Sequence, residues 1–184
     1  MKIFNLSVNS DENIVTWFHV AKGNQFRNLR IVGRSVFRLL DLPEITESID
    51  VEIATSSSKD IKGFALQKLT KNRYLRLKFV SFHGRYHGLS EEIQQISLQN
   101  RPIGSVIDYC VLDFFRNKVY PNFARIETDL KAKRTKIDEK DAIKIPMKNN
   151  DAELVVFLIP DQYDKEMGSM WILRMMVTEK KQDN

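Results

Sequence analysis

Residues 73–88, RYLRLKFVSFHGRYHG, carry the side chains of this chain whose types and spacing could do chemistry. Arginine, lysine and tyrosine alternate with apolar residues in the first half, and two histidines follow four residues apart in the second half. Such a segment could bind the phosphates of a polyanion, coordinate a metal ion, or form the charged edge of an ordinary β-sheet. Each of these three interpretations requires different residues in the surrounding sequence.

A histidine metal site needs a complete set of ligands. His83 and His87 have the i, i+4 spacing of one helix face, and Glu91 lies a further four residues along. However, Gly84 and Gly88 interrupt this span, which disfavours the helix that would bring the three side chains together. We therefore predict that the histidines are turn or surface residues and that the chain binds no metal.

Local catalytic motifs are absent from the sequence. Cys110 is the single cysteine, so neither an intramolecular disulfide nor a cysteine zinc site can form, and its apolar surroundings favour an inert thiol. No G-x-S-x-G elbow and no glycine-rich phosphate loop occurs, and Asp138, Glu139 and Asp141 lie among lysines as in a solvated loop. We expect no cofactor and no enzymatic activity. The alternative is a small-molecule enzyme with a pocket between sheet and helices, because a site built from distant residues leaves no local motif.

The positive charge is concentrated in the N-terminal half. Residues 1–90 contain 14 Lys and Arg against 8 Asp and Glu, whereas residues 91–184 contain 15 against 16. Residues 13–40 and 61–90 contain no acid at all, which favours a basic surface over scattered solvating charge, although cations that protect a sheet edge are the competing explanation. The residues predicted to bind anions or nucleic acid are Arg30, Arg34, Arg38, Lys71, Arg73, Tyr74, Arg76, Lys78, Arg85 and Tyr86. Among them, Tyr74, Arg76 and Lys78 are expected to share the solvent face of one strand.

The elements that must position these residues indicate a single compact α+β domain over residues 1–184, with a mostly antiparallel sheet. Residues 1–88 and 142–178 are rich in alternating apolar patterns typical of strands, and residues 89–136 are predicted to form about three helices. The first of these helices begins near Ser90, and the third spans about 122–135. The middle one is predicted to be the core helix, because apolar residues recur at helical spacing at Ile103, Val106, Ile107, Cys110, Val111 and Phe114.

Composition and charge together predict a non-enzymatic binding or assembly module. The N-terminus lacks the apolar run of a signal peptide, and the longest apolar stretch is too short to span a bilayer, so we expect a soluble intracellular protein. Its expected partners are nucleic acid, a nucleoprotein or an anionic membrane surface, together with further copies of itself. In overall composition the chain is similar to viral matrix or nucleoprotein-associated proteins. That similarity covers composition alone and assigns no role to any residue.

Overall fold

The fold is described from a computed structural model, which places residues 3–9, 26–33, 40, 42–55, 68–79, 89–112, 116–149, 151–164 and 168–180. The chain divides into two compact units, Met1–His83 and Gly84–Asn184, called unit 1 and unit 2 below. In the part of the chain that the structure describes, no helix is long and apolar enough to cross a membrane.

The described residues of unit 1 form four parallel strands and a short helix. The strands are β1 (Ile3–Asn9), β2 (Phe26–Val32), β3 (Asp50–Thr55) and β4 (Tyr74–Phe79), and they pair in that order. A short helix, α1 (Pro43–Thr46), precedes β3 and begins with proline, whose fixed φ suits the first turn of a helix.

The strands of unit 1 bury one face and present polar side chains on the other. Successive side chains of a strand point to opposite faces, so most of the buried apolar positions of β2, β3 and β4 fall on one side, while Phe26 and Ala54 are buried on the other. The buried positions, each at most 2% exposed, are Leu29, Ile31, Val51, Ile53, Leu75 and Leu77. Parallel sheets usually bury both faces. On the second face of unit 1, the middle of β2 and β3 carries polar side chains, and Phe26, Ala54 and Lys78 are buried.

Unit 2 is built on five antiparallel strands and two helices. The strands are β5 (Val106–Leu112), β6 (Lys133–Ile137), β7 (Lys140–Pro146), β8 (Ala152–Asp164) and β9 (Gly168–Glu179), and they pair in the order β5-β9-β8-β7-β6. The helices are α2 (Leu89–Ser97) and α3 (Arg116–Leu130). Ile93, Ile96, Phe123 and Ile126 form their buried sides.

The predicted fold class is wrong, because the nine described strands are mixed, being parallel in unit 1 and antiparallel in unit 2. Alternation of side chains identifies a strand but carries no information on the direction of its neighbour. The lengths of the connections between strands do indicate this direction. The intervals 10–25, 33–49 and 56–73 each exceed the dozen or so residues that a parallel crossover needs.

The predicted core helix is also wrong, since its centre is strand β5. Residues Val106–Leu112 are apolar on both faces, and a short apolar run of this kind fits a helix and a fully buried strand equally well. In β5, Ile107 and Tyr109 point to one face while Asp108 and Cys110 point to the other. Instead of about three helices in the middle of the chain, two described helices flank a central strand.

The predicted third helix begins and ends earlier than expected. Helix α3 runs through Pro121, and Lys131 follows it with a positive φ of 52°, the left-handed conformation that commonly ends a helix. The next residues form the β6–β7 hairpin, whose turn at Asp138 and Glu139 also has positive φ. Helical spacing predicts an i, i+4 pair of Glu127 with Lys131, but Oε1 of Glu127 instead lies 2.6 Å from Nε of Arg134 in β6.

The alternating pattern also predicts a strand over 14–20, and the sequence predicts helices over 35–40 and 59–69; these segments lie outside the described residues, apart from the ends of those helices. Whether the whole chain forms one domain stays a prediction. Apolar patterns likewise predict strands at 49–54, 73–79, 143–147, 152–159 and 169–178, which β3, β4, β7, β8 and β9 confirm, although Ile49 is 48% exposed rather than inward.

Candidate functional site

The polar face of unit 1 is a set of side chains aligned by the parallel register. Two rows cross the four strands, Asn5–Asn28–Asp50–Tyr74 and Ser7–Arg30–Glu52–Arg76. They lie along a groove of about 580 Å³ that is lined by Asn5, Leu6, Ser7, Asn28, Leu29, Arg30, Asp50, Val51, Glu52 and Tyr74. Because each row takes one residue from each strand, residues 69 positions apart in the sequence meet in one site.

Glu52 lies at the centre of the charge on this face. Its Oε1 accepts a hydrogen bond from Nε of Arg30 at 2.9 Å and lies 3.2 Å from Nζ of Lys78. Lys78 is only 7% exposed. Its ammonium is therefore held inside the protein by a carboxylate and is poorly placed to meet a ligand.

Two other cations remain at the surface at the amino end of β4. Lys71 and Arg73 are exposed, and neither forms an ion pair with another residue in the described ranges. Between them, Asn72 is fully buried, and its Nδ2 donates to the carbonyl oxygens of Ile45, at 3.2 Å, and Ser48. This amide anchors the segment to the turn after α1, so the two cationic side chains leave from a fixed backbone.

Asp50 is the half-buried carboxylate of the groove. Within the described residues, the carboxylate of Asp50 has neither a hydrogen bond nor an ion pair. Glu52, two residues further along β3 on the same face, has both. Beside it, Nδ2 of Asn28 donates to Oδ1 of Asn5 at 2.7 Å, which fixes the orientation of both amides. The groove therefore offers a hydrogen-bond acceptor at Asp50 and oriented amide groups next to it.

The predicted anion-binding residues fall into three groups. Arg30, Tyr74, Arg76 and Lys78 lie on the polar face, where Tyr74 and Arg76 are half-buried and Lys78 is buried. The expectation that all three strand residues face solvent is wrong for Lys78. Lys71 and Arg73 lie at the amino end of β4, and Arg34, Arg38, Arg85 and Tyr86 lie outside the described residues.

Sequence reasoning missed Asn28, Asp50, Glu52 and Asn72. The alternation of residues 49–54 places Asp50 and Glu52 on the outward side of a strand, but only the register shows that this side carries Arg30 and Tyr74. Asn72 has no sequence signal, because its role depends on the carbonyl groups of residues 24 and 27 positions earlier. A parallel alignment of β2, β3 and β4 would have brought the first three together.

A second group of buried polar side chains lies in unit 2. Arg101 is 2% exposed, and its Nε donates to Oε1 of Gln99 at 2.7 Å. Burial lowers the pKa of Arg101 to about 10, while nearby Tyr109 opposes that shift. Burial, followed by the negative charge of Glu92, raises the pKa of Tyr109 well above its usual value. Tyr109 is thus a neutral phenol at physiological pH. We interpret Arg101 and Tyr109 as structural parts of the core of unit 2.

The remaining candidates for chemistry find no site within the described ranges. Cys110 is fully buried on β5 beside Ile172, as expected for an inert thiol. No group of three His, Cys, Asp or Glu side chains is placed to hold a metal ion among the residues that the structure describes. His83 and His87 lie outside those residues.

Comparison with known proteins adds one remote likeness. No family model matches the chain. A search of curated proteins gives no match either. Among solved structures, the chain is similar to an S-adenosylmethionine-dependent methyltransferase from Clostridium acetobutylicum, with 12% identity over 98% of this chain and 69% of that one. The TM-score is 0.25, which does not establish a common fold or activity.

Proposed function

We propose that the chain is a binding module whose unit 1 binds single-stranded nucleic acid at the amino end of β4. Lys71 and Arg73 contact phosphates, and Tyr74 in the adjoining groove provides a ring against which a base packs. The module works without catalysing a reaction. The observation that carries the proposal is the pair of exposed, unpaired cations on a segment that Asn72 anchors.

The charge of unit 1 supports an anionic partner. The described residues of unit 1 include seven Lys and Arg against four Asp and Glu. Glu52 partly neutralises the positive charge nearest the groove, because its carboxylate pairs with Arg30 and Lys78. Lys71 and Arg73 are two of the exposed cations of unit 1 that a ligand can reach, together with Arg27 and Lys68. An anchored backbone reduces the entropy lost when these side chains bind, which favours affinity.

The groove favours nucleic acid over an anionic membrane. Amide, hydroxyl and carboxylate groups line it next to Tyr74, and such groups match the polar edges of bases rather than lipid headgroups packed in a surface. A single-stranded segment can insert a base into a groove, whereas the carboxylates of Asp50 and Glu52 would repel a uniformly negative plane. A reducing intracellular compartment, which a lone buried thiol suits, is where such a module would meet its partner.

The test is the salt dependence of binding to a fluorescent thymine octanucleotide. We expect the double variant Lys71→Ala with Arg73→Ala to lower the slope of log affinity against log salt by about one to two units, since each lost phosphate contact removes about 0.7–0.9. The matched control is Lys148→Ala with Lys180→Ala, which removes two exposed cations from unit 2 and should keep the slope.

Vesicles containing phosphatidylserine separate the two partner classes. Binding to the octanucleotide with little binding to vesicles supports the proposal. Equal loss of slope in both double variants would mean that net charge alone drives association. Binding to vesicles but not to the octanucleotide at low salt would contradict the assignment to nucleic acid.

A further inference from the structure

The groove on the polar face holds a carboxylate suited to reading a base. We infer that unit 1 prefers a strand in which guanine occupies this groove, with Asp50 accepting hydrogen bonds from its Watson–Crick edge. This inference rests on the proposed function and adds a preference for one base to it.

Asp50 combines three properties that a base reader needs. It lines the groove, it is half-buried, and no described residue donates a hydrogen bond to it or pairs with its charge. By contrast, Glu52 on the same face is occupied by Arg30 and Lys78. Asp50 is therefore the carboxylate whose acceptor oxygens are available to a ligand.

The neighbours of Asp50 surround it with the other parts of a base site. The register places Asn28 beside it on β2 and Tyr74 beside it on β4. Adjacent strands are about 4.8 Å apart, so an amide, a carboxylate and an aromatic ring lie side by side over about 10 Å. That width matches one base, with Asp50 and Asn28 facing its edge and the ring of Tyr74 bordering the site.

The chemistry of the four bases decides which of them a carboxylate prefers. Guanine presents two adjacent donors, N1–H and N2–H₂, and a carboxylate accepts both in a bidentate pair. Adenine and cytosine each offer one exocyclic amino donor next to a ring nitrogen that only accepts. Thymine and uracil offer a single N3–H between two carbonyl oxygens that repel the carboxylate. Guanine should therefore bind best and thymine or uracil worst.

The phosphate contacts fit this placement along the chain. Arg73 directly precedes Tyr74, and Lys71 lies two residues earlier, so both cations adjoin the strand that carries the ring. The backbone N–H groups of Arg73 and Tyr74 donate to the carbonyl oxygen of Ile49, next to Asp50, at 2.8 and 3.2 Å. One fixed segment thus joins the phosphate-binding cations to the base-reading carboxylate.

The experiment compares thymine octanucleotides that carry one central guanine, adenine or cytosine, a design that avoids guanine quadruplexes. A well-made bidentate base contact discriminates by about five- to hundredfold, and the half-exposed position of Asp50 suggests the lower end of this range. We expect the central guanine to raise affinity over the all-thymine strand by about five- to tenfold, with adenine and cytosine in between.

Two variants of equal charge test whether Asp50 is responsible. Asp50→Asn replaces one acceptor oxygen by a donor and should bring the guanine-to-thymine affinity ratio close to one, even as loss of a negative charge strengthens binding to every strand. Glu47→Gln removes an exposed carboxylate of unit 1 that does not line the groove, and it should keep the ratio of the parent.

The outcomes separate the inference from the proposed function. Salt-dependent binding with no preference among the bases would overturn the inference and leave the proposed function standing. A guanine preference that persists in Asp50→Asn would also overturn it. If no octanucleotide binds, saturation-transfer NMR with guanosine and adenosine monophosphates decides the matter, because binding of neither nucleotide, or equal binding of both, removes the base site as well.

Discussion

The pair formed by Glu52 and Lys78 makes an asymmetric prediction about stability. Glu52→Gln should destabilise the protein by about 2–3 kcal/mol, whereas Lys78→Met should change its stability by less than about 1 kcal/mol. The asymmetry arises because Glu52 accepts from two cations, Arg30 at 2.9 Å and Lys78 at 3.2 Å, and because Lys78 is buried.

The magnitudes follow from charge and burial. At an effective dielectric constant of about 20, unit charges at this separation attract by about 5–6 kcal/mol, and much of this is offset by the desolvation of both groups. Glutamine keeps the shape and one acceptor oxygen but removes the negative charge that faces the buried ammonium of Lys78 and the guanidinium of Arg30, so about 2–3 kcal/mol should be lost. Methionine removes the buried cation together with its desolvation cost. In Lys78→Met, Glu52 still pairs with Arg30 and is 24% exposed, so this substitution should change the free energy of unfolding little.

Thermal unfolding followed by circular dichroism measures both variants. For a chain of this size, about 2–3 kcal/mol corresponds to a fall in Tm of about 4–12 °C. Lys78→Met should also keep the salt slope of oligonucleotide binding, because its charge does not reach a ligand. Equal and small changes in Tm for the two variants would refute the central place given to Glu52, and a slope lowered by Lys78→Met would show that this lysine contacts the polyanion.

Three further predictions concern strand β5 of unit 2. Ile107→Ala should destabilise by about 2–5 kcal/mol, as measured by urea unfolding, because Ile107 is 1% exposed in the core; a near-neutral variant would place the wrong face of β5 inside. Cys110 should react with a thiol reagent only as fast as the protein opens, so rapid labelling of the native protein would contradict its burial. Burial raises the pKa of Tyr109, so the unfolded chain releases this proton first and stability should fall as pH rises above about 10. Absorbance at about 295 nm should show a tyrosine that ionises only on unfolding and is missing in Tyr109→Phe; full ionisation of the folded protein would refute the shift.

The sequence alone was sufficient for strands whose two sides differ in polarity. Residues 49–54 and 73–79 alternate between apolar and polar residues, and they form β3 (Asp50–Thr55) and β4 (Tyr74–Phe79), with Val51, Ile53, Leu75 and Leu77 buried. Ile49, which the same alternation predicts to point inward, precedes β3 and is 48% exposed. The prediction of both strands succeeds because a side-chain period of two is a local property that burial of one face enforces. The excess of positive charge in the N-terminal half is likewise a property of the sequence that no folding changes.

Tertiary structure decided what local patterns leave open. Residues 107–110 are buried on both faces of β5, where the periods of helix and strand cannot be distinguished from the sequence. The strand is held in place by neighbours distant in the sequence, because Asp108 accepts two hydrogen bonds from Arg174 of β9 at 2.8 Å. The parallel pairing of unit 1 depended on connections between distant strands rather than on the strands themselves. That pairing set the register which buries Lys78 against Glu52 and leaves Lys71, Arg73 and Asp50 available. A sequence specifies which side chains are charged, but which charges neutralise one another is decided by the strands that become neighbours.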